Sequence, residues 1–138
     1  MLRYEEIDIA GDIGLKVHGS SVEELFANAA LGLYSFITDT DDVNGSTTIT
    51  VDLTEETTER LLIAWLNELI YLFDVDGFVG KTVDIKGLDG THLRAELRGE
   101  PFDLQRHNPG ILIKAATYHR LSIERQPQGY CATVICDV

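Results

Sequence analysis

The sequence predicts an α+β fold: a single compact domain, residues 1–138, in which mainly antiparallel sheet packs against two main helices. Three observations carry this. Several short runs alternate apolar and polar residues at a period of two, and two longer stretches repeat at the helical period. Between two of the alternating runs stands Asp89-Gly90, a hairpin signal. No repeat, linker or shift in composition divides the chain.

Taken in order, "IDIAGDIGLKVHG" places Ile7, Ile9, Ile13, Leu15 and Val17 at alternate positions. It reads as two short strands, or one bent strand, with Gly11-Asp12 at the bend. "SSVEELFANAALGLYSFITD" reads as a helix: Ser21 and Glu24 form a capping box, and Val22, Leu25, Phe26, Ala29, Ala30 and Leu33 make its inward stripe. "TDTDDVNGS" reads as a loop. "TTITVDLT" is a strand with Ile49, Val51 and Leu53 on one face. The longer helix spans "EETTERLLIAWLNELIYLFDVDG", with Leu61, Leu62, Trp65, Leu66, Leu69 and Phe73 inward and Gly77 beyond its end. In "KTVDIKGLDGTHLRAELRG", Val83 and Ile85 face Leu93, Ala95 and Leu97 across a turn expected to use positive φ. Pro101 and Pro109-Gly110 break any long element in the following stretch. "LSIER" and "YCATVICDV" then form a last hairpin around Pro127-Gln128-Gly129.

Charge narrows the function. Twenty-three acidic residues against 11 basic ones give a formal net charge of −12. A surface of this sign repels phosphate backbones, so direct nucleic-acid binding over a broad area is not expected. Cations or a basic protein partner suit it, and so does simple solubility. The apolar runs are too short to span a bilayer, and "MLRYEEIDIA" has charges where a leader would need an apolar core. These features predict a soluble, cytoplasmic protein. Cys131 and Cys136 lie five residues apart on one strand, so they face opposite sides roughly 16 Å apart. A disulfide between them is ruled out by the limit of about 7 Å between Cα atoms.

Several motifs come close to known sites and fail. "VDGFVGKT" matches a phosphate-binding loop at Gly80, Lys81 and Thr82, but Val75 stands where its first glycine belongs, and the segment leads into a strand. "TDTDDVNG" matches a calcium loop at Asp42, Asn44 and Gly45, yet Thr40 holds its first position and Val51 its twelfth. Asn44-Gly45-Ser46 is a glycosylation sequon without meaning in a cytosolic chain. His18, His92, His107 and His119 form no zinc-protease pattern, and no complete hydrolase constellation is present.

Four residues stand apart. Asp137 closes an apolar strand, and Val138 after it adds an α-carboxylate. Asp12 lies at the strand bend beside glycine. A carboxylate in such a place needs a cation, a donor array or water. Oxygen-only donors favour hard ions such as Ca²⁺, Mg²⁺ or Mn²⁺. A frayed, solvated chain end is the plain alternative. Lys114 interrupts the apolar "ILIKAATYH", where it could pair with Asp137, reach solvent or face a partner's phosphate.

Together, "DIGLKVHG", "SSVEELFANAALGLYSFITD", "LLIAWLNELIYLFD", "KAATYHRLSIER" and "VICDV" resemble the archease family, in the family's order and over nearly the whole chain. The resemblance implies a non-enzymatic activator of the GTP-dependent RtcB-type RNA ligase, which acts in tRNA splicing and RNA repair. It implies promotion of ligase guanylylation and multiple turnover, with a chaperone-like role also proposed for the family. It implies metal ligation by Asp12, Asp137 and Val138, often with calcium, and an activating role for Asp12, Lys114 and Asp137. One departure stands out: archeases commonly read His-Thr-Ala-Asp where this chain has Ile9-Ala10-Gly11-Asp12. Rival readings are an assembly factor acting without metal and, with only two acidic side chains and a lysine to support it, a metal-dependent hydrolase.

Overall fold

The computed structural model describes residues 3–138. Two antiparallel sheets and two helices form the α+β architecture expected. Strands β1 (Tyr4–Ile9), β2 (Asp12–Gly19), β6 (Ala115–Gln126) and β7 (Gly129–Asp137) make one sheet in the order β1-β2-β7-β6. Strands β3 (Thr47–Thr54), β4 (Phe78–Leu88) and β5 (His92–Pro101) make the other in the order β3-β5-β4. Helix α1 (Val22–Ile37) follows β2, and helix α2 (Thr58–Asp76) joins β3 to β4.

Local chemistry starts α1 after Ser21 and stops α2 at Gly77 as the sequence predicts, and starts α2 at Thr58, three residues later than the expected Glu55. The Ser21 hydroxyl accepts the Glu24 N–H at 3.1 Å, and the Glu24 carboxylate reaches back to the Ser20 N–H at 3.0 Å. Thr57 caps α2 by accepting the Arg60 N–H at 3.1 Å. Gly77 ends α2 at φ 66°, a left-handed cap that glycine adopts without the steric cost other residues meet. Both helices bury their stripes against the sheets. The Trp65 indole, fully buried, donates to the Phe26 carbonyl at 2.9 Å and ties α2 to α1. Phe73 is only half-buried and packs edge-on against Phe102 at 5.4 Å.

Four expectations are corrected or completed. The first alternating run is a hairpin, with Ile9 paired to Asp12 across Ala10-Gly11, rather than one bent strand. The β4–β5 turn does not place Gly90 at positive φ. Its geometry comes from Asp89, whose carboxylate accepts the Thr91 and His92 N–H groups at 2.9 and 2.8 Å. The glycine of the near-miss phosphate loop also has a structural reason: a Cβ on Gly80 would lie 2.6 Å from the Tyr34 ring, which packs onto β4 there. The "LSIER" strand is longer than its apolar pattern, because β6 already begins at Ala115.

The long β6 is not regular. Thr117 pairs with Ile135 and Ser122 with Thr133, so residues 118–121 oppose Val134 alone. Arg120 in this bulge has φ 53°, and no other non-glycine residue among those described has positive φ. Left-handed backbone costs a side-chain-bearing residue roughly 1–2 kcal/mol.

Candidate metal centre

The geometry of β2, β7 and β6 brings the sequence-predicted residues to one end of the first sheet. The β2–β7 ladder runs to Ile13 opposite Cys136. Continued by one residue, it sets Asp12 against Asp137 on adjacent strands, with both side chains on the same face. The Lys114 N–H donates to the Asp137 carbonyl at 2.8 Å, and Ala115 pairs with Asp137. Asp12, Lys114, Asp137 and Val138 therefore share one sheet end. Asp12 is half-buried, while Lys114, Asp137 and Val138 are exposed.

The electrostatics agree with this placement. Burial first, then the charges of Asp137 and Asp12, push the Cys136 thiol up to about 11. Both carboxylates thus act on one neighbouring group. Cys131 and Cys136 are both buried and unpaired. The ion pair weighed between Lys114 and Asp137 is not formed: among the described residues, no salt bridge within 4.0 Å involves Asp12, Lys114 or Asp137. The backbone of Lys114 holds Asp137, and its ammonium group is left to solvent.

Among the described residues, no three His, Cys, Asp or Glu side chains are grouped as a metal cage. The side-chain donors at this sheet end are the Asp12 and Asp137 carboxylates. This all-oxygen, open set fits a hard divalent ion that keeps part of its water shell. Ile9 is the register partner of Asp12, so its side chain stands directly beside this donor set.

A second polar cluster escaped sequence reasoning. Glu100 is 5% exposed and receives both Arg106 guanidinium nitrogens, at 2.9 and 2.7 Å. It also accepts the Asn44 N–H at 2.6 Å and meets His107 Nε2 at 3.1 Å. The His107 Nδ1 accepts the Asp103 N–H at 2.9 Å, so Nε2 carries the ring proton toward Glu100. The cluster clasps the strand-free segment 102–114 to the end of β5. The segment is then fixed by the Gly110 N–H to the Ile37 carbonyl at 2.8 Å and the Ile111 N–H to the Phe36 carbonyl at 2.7 Å. The residues are far apart or aperiodic in sequence, and Pro101 and Pro109 were the only warning of an irregular, specifically anchored segment.

The clasp has a pH signature. The Arg106 guanidinium, followed by the Asn44 N–H, holds the Glu100 carboxyl at about 2, below its ordinary 4.5. A depressed carboxyl contributes stability above its unfolded value and loses it as pH falls toward the folded value. Segment 102–114 is therefore expected to lose amide-exchange protection between about pH 4.5 and pH 2. Glu100→Gln should flatten this dependence. Equal pH dependence of protection in both proteins would contradict the role of the clasp.

Comparison with known proteins matches residues 4–138 to the Archease protein family. The chain belongs to the archease family. The protein archease of Archaeoglobus fulgidus is 36% identical over 139 residues, covering 99% of this chain and 100% of that one. The protein archease of Pyrococcus furiosus is 35% identical over 142 residues, covering all of both chains. A Methanobacterium thermoautotrophicum protein solved in solution superposes with a TM-score of 0.79 at 32% identity, covering 99% of each chain. A Thermotoga maritima structure, described as an archease and possible chaperone, shares the fold at a TM-score of 0.67 and 23% identity, covering 97% of this chain and 96% of that one. Among the described residues of this archease-family chain, no helix is long and apolar enough to cross a membrane.

Proposed function

We propose that this archease-family chain activates a GTP-dependent RtcB-type RNA ligase and is not itself an enzyme. The observation that carries the reading is the juxtaposition of Asp12 and Asp137 at the end of the β2–β7 ladder, with Lys114 and Val138 beside them. In this proposal Asp12, Asp137 and the Val138 carboxylate hold a divalent ion, with Ca²⁺, Mg²⁺ and Mn²⁺ as the candidates. Such an ion supplies positive charge that offsets negative charge developing on a polyphosphate as pyrophosphate leaves. Lys114, exposed and outside any ion pair, adds a further cation at the same sheet end. Ile9 restricts the donors around Asp12 to oxygen, since isoleucine offers no ligand atom.

The acidic surface fits a basic mouth on a protein partner. Exposed apolar side chains favour protein docking as well. Tyr71 and Val75 are 55% and 62% exposed on α2, while Leu104 and Leu112 are 72% and 67% exposed on segment 102–114. The Phe102 N–H donates to the Gly77 carbonyl at 2.7 Å, which joins that segment to the end of α2. These side chains also support the alternative, a chaperone-like assembly factor that acts without metal. The test uses a cognate ligase that is already folded and active. The activator reading expects more guanylylation and repeated turnover on adding this chain. A benefit confined to refolding of denatured ligase would favour the assembly factor and sink the activator reading.

A further inference from the structure

We propose that the cavity between strands β1 and β4 binds the phosphate group of a small phosphate monoester, held by Arg3, Lys81 and Thr82. The inference does not rest on the ligase-activator reading.

β1 and β4 are each an edge strand of their sheet. Between them lies a cavity of about 280 Å³. Arg3, Lys81 and Thr82 supply its polar wall, and Tyr4, Leu31 and Val83 its apolar one. The chain carries 23 acidic residues, yet among the described residues no Asp or Glu lines this cavity. Two cations facing one cavity without a carboxylate repel each other and favour an anion between them.

The backbone places Lys81 there. In the β4–β5 ladder Gly80 pairs with Gly99 and Thr82 with Arg98, so Lys81 is the extra residue of a bulge. A bulge re-aims the side chain of the strand it bends. The half-buried Lys81 donates from its ammonium group to the Thr40 carbonyl, on the same cavity wall, at 2.7 Å. This fixes one of its three N–H groups and leaves two for a ligand. Arg3 is exposed, but its carbonyl accepts the His18 N–H at 2.9 Å, which ties its backbone to β2. Among the described residues, neither Arg3 nor Lys81 is engaged in a salt bridge.

The donors say which anion fits. A guanidinium fork takes two oxygens, and the ammonium and hydroxyl groups take others, which suits a tetrahedral phosphate. The apolar wall suits an organic substituent that free phosphate lacks. Asp39 and Asp41 line a neighbouring cavity that shares Tyr4 and Thr40 with this one. Their charge disfavours a polyphosphate or a nucleic-acid backbone running on in that direction. Lys81 and Thr82 belong to the near-miss phosphate loop "VDGFVGKT", and here they act without its helix. Arg3 adjoins Tyr4, which lies roughly 17 Å along β1 from Ile9, the partner of Asp12, so this site is separate from the carboxylate end of the sheet.

The test is amide NMR of the full chain titrated with phenyl phosphate, with inorganic phosphate and with benzoate. Saturable shifts are expected at Thr40, Lys81 and Thr82 with both phosphates, at lower concentration for phenyl phosphate, and only weak shifts with benzoate. Arg3→Gln and Lys81→Gln should each weaken phenyl phosphate binding by about tenfold. Arg3→Gln alters only an exposed side chain, so it carries the test even where Lys81→Gln disturbs β4. Lys86→Gln removes an exposed lysine of the same strand that lies outside the cavity and pairs with Asp84 at 2.7 Å, and should leave binding unchanged. Absence of saturable shifts at the three residues, benzoate or inorganic phosphate binding as tightly as phenyl phosphate, or an equal effect of Arg3→Gln and Lys86→Gln would overturn the proposal.

Discussion

Asp137→Asn is expected to weaken divalent-ion binding by about tenfold or more while leaving the fold intact. Affinity of an oxygen site for a hard cation depends on how many charged ligands it offers, and this change removes one of three carboxylates. Asp137 is exposed and holds β6 through its backbone carbonyl, which the substitution retains. Calorimetric titration with Ca²⁺ reads the affinity, and circular dichroism checks the fold. A companion variant with one glycine appended after Val138 shifts the α-carboxylate without changing any side chain, and should weaken binding as well. Undiminished Ca²⁺ affinity in both variants would remove Asp137 and Val138 from the donor set.

Trp65→Ala is expected to produce the largest loss of stability. The side chain is fully buried where α2 meets α1, and its indole donates to the Phe26 carbonyl. Truncating a buried tryptophan costs about 3–5 kcal/mol, because apolar burial is lost and a cavity remains. That is a large share of the 5–15 kcal/mol that typically holds a domain together, and the thermal midpoint should fall by about 10 °C or more. Trp65→Phe keeps an aromatic ring and gives up the hydrogen bond, worth about 1 kcal/mol. It should therefore fall between the two. Trp65 is the only tryptophan, so circular dichroism rather than intrinsic fluorescence must follow the denaturation. A change below 1 kcal/mol in Trp65→Ala would mean that the inter-helix contact matters far less than its burial implies.

How much of this was legible in the sequence follows from how local each signal is. The two helices were readable because Ser21, Glu24 and Gly77 act on residues within a turn of themselves, and because the apolar stripes repeat. The β4–β5 hairpin was readable from alternation, though its turn was not: the Asp89 side chain, not glycine at positive φ, shapes it. The start of β6 was hidden because Asn67 satisfies the Ala116 backbone from another element, and the bulge interrupts the alternation that marks a strand. At the site, Asp12 stood out at a strand bend, Lys114 inside an apolar stretch and Asp137 at the end of an apolar strand. Their common location depends on strand register, which the sequence alone did not show. The Glu100 clasp was invisible for the same reason: Asn44 reaches Glu100 across 56 positions of chain, and neither has a periodic partner.

The most direct measurement is guanylylation of the cognate RtcB-type ligase with labelled GTP, run without this chain, with it, and with Asp137→Asn. Stimulation by the wild-type chain and little by the variant, at concentrations where both are folded, is the predicted result. Equal stimulation by the two would contradict the metal-assisted account, and no stimulation by either would contradict the ligase-activator reading itself.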